Sequence, residues 1–137
     1  MYPPEVVEPM RKELTDAGVI EMKTAAEVEQ QLSNNEGTVL VVVNSVCGCA
    51  AGAARPAVVK ALAHNKLPNK ITTVFAGQDK EATDKARSYF LGVPPSSPAM
   101  GLLKDGQLVH MIERQNIEGF SAEQIAENLT KAFDEHC

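Results

Sequence analysis

Cysteine is scarce in this chain, with three in 137 residues; that is too few for a disulfide framework, and in a reducing compartment so small a set is usually catalytic, sensing or metal-binding. Long apolar runs are missing as well: none approaches the ~18 residues that a membrane span needs. The opening residues Met1-Tyr2-Pro3-Pro4-Glu5 lack a basic region leading into an apolar one, so no targeting segment is read there and a cytoplasmic location is expected. No cluster of Lys or Arg relieves the net charge of -5, which argues against nucleic acid and against an anionic membrane surface as partners. Repeats, linkers and low-complexity tracts are absent too. What remains is ordinary globular composition, 44% hydrophobic and 23% charged, in a chain long enough for a single domain over residues 1–137 with one sizeable core.

Two of the three cysteines form Cys47-Gly48-Cys49, where the apolar run Thr38 to Val43 gives way to the small residues Ala50 to Ala54. The first run reads as a strand buried on both faces, and the alanine-rich one as a helix. The pair therefore lies at a strand-to-helix turn. Unsatisfied N–H groups and the positive end of the helix dipole favour a thiolate there, and cysteines so placed ionise below their ordinary pKa of about 8.5. Residues two apart in a helix point to nearly opposite sides, so a bond between the two sulfurs requires Cys47 to lie at or before the N-cap. Gly48 supplies the freedom for that turn. A ring with one intervening residue is expected to be strained and easily reduced.

Local signals divide the remaining sequence. Apolar spacing between Glu5 and Ala17 predicts a helix that begins at Pro9 and stops at Gly18, an N-terminal extension of residues 1–18. Val19 to Met22 is a short edge strand. Thr24 and Glu27 form a capping box for a helix ending near Asn34-Asn35. The helix after Cys49 must cross Pro56 and is expected to kink there, continuing toward Asn65. Lys70 to Phe75 is a second buried strand, and Asp79 caps a helix over Glu81 to Phe90. After the turn-rich stretch Gly92 to Pro98, Asp105-Gly106 joins Ala99–Leu103 to Gln107–Met111 as a hairpin. Ser121 and Gln124 box the start of a last helix, with Ile125, Leu129, Ala132 and Phe133 inward.

The order is thus α/β: alternating units giving parallel strands with right-handed crossovers, then a hairpin adding an antiparallel strand at one edge. A cysteine pair at the end of the second main strand, with an X-Pro bond just before the hairpin, resembles the thioredoxin-like fold, a central mixed sheet flanked by helices. That resemblance implies a cis Ser97-Pro98 bond beside the nucleophile, with the Ser97 backbone turned toward Cys47 to receive an extended substrate. More narrowly, Val43-Asn44-Ser45-Val46-Cys47-Gly48-Cys49-Ala50, Val74 through Thr83, and Pro95-Ser96-Ser97-Pro98 resemble the YphP/YqiW family, the bacilliredoxins. The likeness runs from the first helix to Cys137. It implies a cytosolic thiol–disulfide oxidoreductase that removes bacillithiol from protein mixed disulfides; family members have also been described as disulfide isomerases. Cys47 matches the attacking cysteine and Cys49 the resolving one, with Gly48, Ser97 and Pro98 at the substrate. Gln115 departs from the pattern, standing where the family often has a histidine after Glu113-Arg114.

The expected enzyme uses no bound organic cofactor and no metal; bacillithiol is the exchanging thiol, and the partners are S-thiolated or disulfide-containing proteins. A general disulfide isomerase or oxidase is the alternative within the class. A thiolate metal-binding module is the alternative outside it, although His64, His110 and His136 show no ligand spacing with the pair. Arg114 and Lys80 read as solvated charges, His64 as an outer-face residue, and Cys137 as a frayed terminal thiol.

Overall fold

A computed structural model of the chain describes residues 1–33 and 36–137. Two runs dense in β-branched residues make the sheet's centre: β2 (Thr38–Asn44), buried at every position, and β3 (Lys70–Phe75). They pair in parallel, with Val41 opposite Thr72, and the short β1 (Ile20–Glu21) extends the parallel set as an edge. On the other side β2 pairs antiparallel with β4 (Ala99–Lys104), which pairs antiparallel with β5 (Gln107–Ile112). The order is β1-β3-β2-β4-β5. The antiparallel strand of the hairpin is therefore internal, not at an edge as the sequence suggested; β5 takes the edge and runs parallel to β2. Asp105 at φ 50° and Gly106 at φ 81° make the expected hairpin turn.

Alternation along β2 feeds two cores. Leu40 and Val42 face the cluster holding Leu14, Val58, Leu129 and Phe133, whereas Val39, Val41 and Val43 face Met22, Val28, Val74 and Phe90. Accordingly α1 (Pro4–Thr15), α3 (Arg55–Ala61) and α5 (Ala122–His136) cover one face, and α2 (Ala25–Leu32) and α4 (Lys80–Arg87) the other. Capping boxes at Thr24 and Ser121 start α2 and α5 as read from sequence. Gly101 in β4 leaves room for the Phe90 ring, which a side chain there would strike. The end assigned to α2 at Asn34-Asn35 falls outside the described residues. No helix among those described is long and apolar enough to cross a membrane.

Three expectations need correcting. Helix α1 starts at Pro4 and carries Pro9 inside it; the one carbonyl deprived of a donor, that of Glu5, belongs to an exposed residue where water can replace the bond. Helix α4 ends at Arg87, and Asp79 caps it with backbone only. The Asp79 carboxylate instead meets Arg11, at 2.7 Å and 3.2 Å, while that guanidinium lies 5.1 Å over the Phe75 ring. The helix expected to run on to Asn65 ends at Ala61: ahead of Pro56 it is widened into a π-helical stretch over Ala50–Ala54, and regular α3 begins at Arg55. Pro56 cannot donate to the Gly52 carbonyl, and the wider turn relieves its ring of that carbonyl.

Candidate active site

Strand β2 hands the chain to the cysteines through Asn44 and Ser45, both buried. Asn44 Oδ1 accepts the Ser45 N–H at 2.9 Å, and its Nδ2 donates to the Met10 carbonyl on α1 at 3.3 Å. From α3, Arg55 reaches back under the turn. Its Nη1 donates to Asn44 Oδ1 at 3.0 Å and to the Ser45 carbonyl at 2.8 Å. Only 2% of Arg55 is exposed, so its charge needs a partner; Glu13 Oε2 lies 3.1 Å from Nε, a charge contact and not an aligned hydrogen bond. The turn thus sits on a polar anchor tied to two helices.

Cys47 caps the helix that follows: its carbonyl accepts the Ala50 and Ala51 N–H groups at 3.1 and 3.3 Å. The two thiols are free, with Cys47 Sγ 2.9 Å from Cys49 Sγ, and Ser45 Oγ donates to Cys47 Sγ at 3.2 Å. Gly48, between them, is exposed. Burial pushes the Cys47 thiol up, but hydrogen bonds from Cys49 and Ser45 and a backbone contact from Ala50 outweigh it, with a smaller pull from the Arg114 guanidinium; the net position is below the ordinary cysteine value. Cys49 goes the other way. Burial, its hydrogen bond to Cys47 and the charge there raise it, against the same arginine. Of two neighbouring thiols, the outer is made the readier to ionise and the inner the readier to keep its proton.

The Ser97-Pro98 bond is cis. Pro98 is buried, and Ser97 lines a groove of about 320 Å³ together with Cys47. The Ser97 carbonyl accepts Arg114 Nη1 at 3.0 Å. Arg114 is the residue the sequence reading undervalued. It follows β5 and rests on Glu118 through Nη2 at 3.0 Å, and its backbone N–H donates to Ser96 Oγ at 3.3 Å. Thus it clamps the proline loop and aims charge at both thiols. Lys80, the other cation considered, pairs with Asp84 at 2.6 Å on the exposed side of α4.

Ser45, Asn44 and Arg55 were also missed. A lone arginine inside Ala50–Ala57, otherwise small and apolar, was the available signal for Arg55. Among the described residues no group of three or more His, Cys, Asp or Glu could hold a metal ion. His64 lies half-buried against Asp134 at 2.8 Å, and His110 against Asn128 at 2.7 Å. Cys137 ends α5, its N–H on the Phe133 carbonyl at 2.8 Å.

Sheet order, cis-proline loop and facing thiols together define a class, the thiol–disulfide oxidoreductases of thioredoxin fold. Comparison with solved structures agrees on the fold: Fasciola hepatica thioredoxin superposes with a TM-score of 0.59 at 23% identity, covering 87% of this chain and all of that one. A Nicotiana alata thioredoxin gives 0.60 at 17% identity over 86% of this chain and 91% of that one. The sequence pattern of the family described as "Disulphide isomerase" matches residues 2–137. A bacilliredoxin of Koribacter versatilis is 56% identical over 137 residues, spanning all of this chain and 94% of the relative, and one of Halalkalibacterium halodurans is 57% identical over 99% of this chain and 94% of the relative. The chain belongs to this bacilliredoxin family.

Proposed function

We propose that this oxidoreductase removes bacillithiol from protein mixed disulfides, with Cys47 as nucleophile and Cys49 as resolving thiol, in the cytoplasm and without a bound organic cofactor or metal. The Cys47 thiolate attacks the small-thiol sulfur of a protein–S–S–R disulfide. A Cys47–S–S–R disulfide forms, the S–S bond between the protein's sulfur and R's sulfur breaks, and the protein leaves as a thiolate that takes up a proton. Cys49, once deprotonated, then attacks the Cys47 sulfur and expels the R thiolate, leaving a Cys47–Cys49 disulfide, or a second small thiol attacks the R sulfur and expels the Cys47 thiolate; electrons are conserved because each new S–S bond replaces an old one.

The observation that carries this reading is the opposite pull on two thiols 2.9 Å apart. The outer thiol, at the helix cap, is the one favoured as thiolate, and the inner one, which ionises less readily, is held in reserve until Cys47 is consumed. Gly48 gives the turn its freedom, and Ser97 and Pro98 form the wall against which the substrate lies. The name carried by the curated relatives supports bacillithiol as the small thiol. The test is a bacillithiolated protein incubated with variants. Cys49→Ser is expected to accumulate a Cys47–bacillithiol adduct visible by intact mass, and Cys47→Ser to leave the substrate modified. Removal of the thiol by Cys47→Ser would reverse the roles.

The description of the matched family favours a second reading, disulfide isomerisation. It predicts that the wild type restores activity to a scrambled multi-disulfide protein and that Cys49→Ser does so too, because isomerisation needs only the attacking thiol.

A further inference from the structure

Beyond Cys47 the groove runs between the N-terminal segment and the proline loop. Tyr2 walls one side, held by a reciprocal pair of bonds with Gln78, at 2.9 Å and 2.8 Å. Two guanidinium groups, Arg87 and Arg114, line the groove, and no carboxylate does. In a chain of net charge -5 that is a local reversal of sign. Arg114 is paired with Glu118, but Arg87 has no carboxylate partner among the described residues. Its Nη2 donates to the Ser96 carbonyl at 3.2 Å, and its half-buried side chain leaves Nε without any acceptor. A partly desolvated cation without a counter-charge is an open electrostatic demand. The neighbouring groove beyond Arg114 is its opposite, lined by Glu113 and Glu118.

Resting on the exchange reading above, we infer that Arg87 is a specificity residue: it receives a carboxylate on the small thiol while that thiol's sulfur becomes bonded to Cys47. An R group with a carboxylate a few bonds from sulfur then lies toward Arg87, supported by the field of Arg114, and is repelled from the glutamate side. Arg87 touches neither sulfur. It selects which mixed disulfides are emptied, favouring acidic small thiols over neutral ones.

The test uses one carrier protein S-thiolated with either 3-mercaptopropionate or its amide, which differ in charge and little in size. Release of the reduced carrier by the pre-reduced enzyme is followed in single turnover, and each rate is divided by that of 2-mercaptoethanol on the same substrate to cancel intrinsic reactivity. We expect the acid to be preferred roughly tenfold, as charge-assisted pairing supports, with the preference falling as salt is raised. Arg87→Gln is expected to bring the acid-to-amide ratio to about one and Arg87→Lys to restore part of it, whereas Lys60→Gln, at an exposed position of α3, keeps the wild-type ratio. Equal rates for acid and amide in the wild type, or an Arg87→Gln enzyme with the preference intact, would overturn the assignment while the exchange reading stood. Failure to release the carrier from either substrate would overturn both.

Discussion

The two sides of the redox turn are built differently. Below it, Asn44, Ser45 and Arg55 are buried, and their polar groups are spent on one another, on Met10 and on Glu13. Above it, Cys47, Ser97, Arg87 and Arg114 line a solvent-open groove, and the cations there are only partly satisfied. The lower side fixes position, since a buried hydrogen-bonded network of this kind has few low-energy arrangements. The upper side leaves charge over for thiolate and substrate. An activated cysteine needs both: a rigid floor so that the dipoles do not relax, and an open ceiling so that the sulfur can be reached.

Breaking the floor is expected to have the largest effect. Arg55→Leu removes the donor to the buried Ser45 carbonyl and one donor to Asn44, and an unsatisfied buried acceptor costs about 1–3 kcal/mol. The urea midpoint should drop accordingly. Exchange should slow as well, because Ser45 is the residue whose hydroxyl meets Cys47 Sγ. Unchanged stability would mean that the cost of burying the arginine had cancelled its bonds, and the floor would then be a specificity device only. On the core side, Gly101→Ala, forced against the Phe90 ring, should cost about 1–3 kcal/mol with little change in thiol reactivity per folded molecule, which separates packing from positioning.

That division also marks what could be read from sequence. The floor's frame, strands β2 and β3, follows from local runs of β-branched residues, and the hairpin from Asp105-Gly106. The capping boxes at Thr24 and Ser121 are likewise written within four residues. Cys47 at the helix cap followed from spacing alone. What escaped is long-range: the charge of Arg114 reaches the thiols from beyond β5, and the Asp79 carboxylate, expected to cap its own helix, binds Arg11, 68 positions away. The π-helical turn at Ala50–Ala54 escaped for a different reason. A proline specifies that the regular helix must yield, but packing decides whether it bends or widens. Charged residues on the ceiling look like any solvated charge until the fold says what they face.

A smaller effect is expected from altering the ceiling's charge. Arg114 pulls both cysteines toward the thiolate, so Arg114→Gln removes a cation and both should titrate higher. Cys47, below the ordinary value in the wild type, moves up toward it. Alkylation of Cys47 by iodoacetamide therefore needs a higher pH to reach half its maximum, and at neutral pH it slows by about two- to fivefold, as befits a partly screened charge. Cys49, already raised, should become harder still to label. If the Cys47 profile did not shift, Arg114 would act only by holding the proline loop through Ser97.

The smallest effect is expected at the third cysteine, which belongs to neither side of the turn. Cys137 lies half-buried at the end of α5, packed against the core cluster, with its N–H on Phe133. A serine there keeps the backbone bond and loses only modest apolar contact, so Cys137→Ser should change stability by less than about 1 kcal/mol and leave single-turnover exchange at the wild-type rate. In the Cys49→Ser background it serves as a stricter probe. If Cys137 resolved the adduct on Cys47 in place of the missing thiol, the adduct would persist only in Cys49→Ser/Cys137→Ser, and the C-terminus would have to reach across the helix layer to the groove. With Cys137 a bystander, the adduct survives equally in single and double variants, and the chemistry is confined to the turn between floor and ceiling.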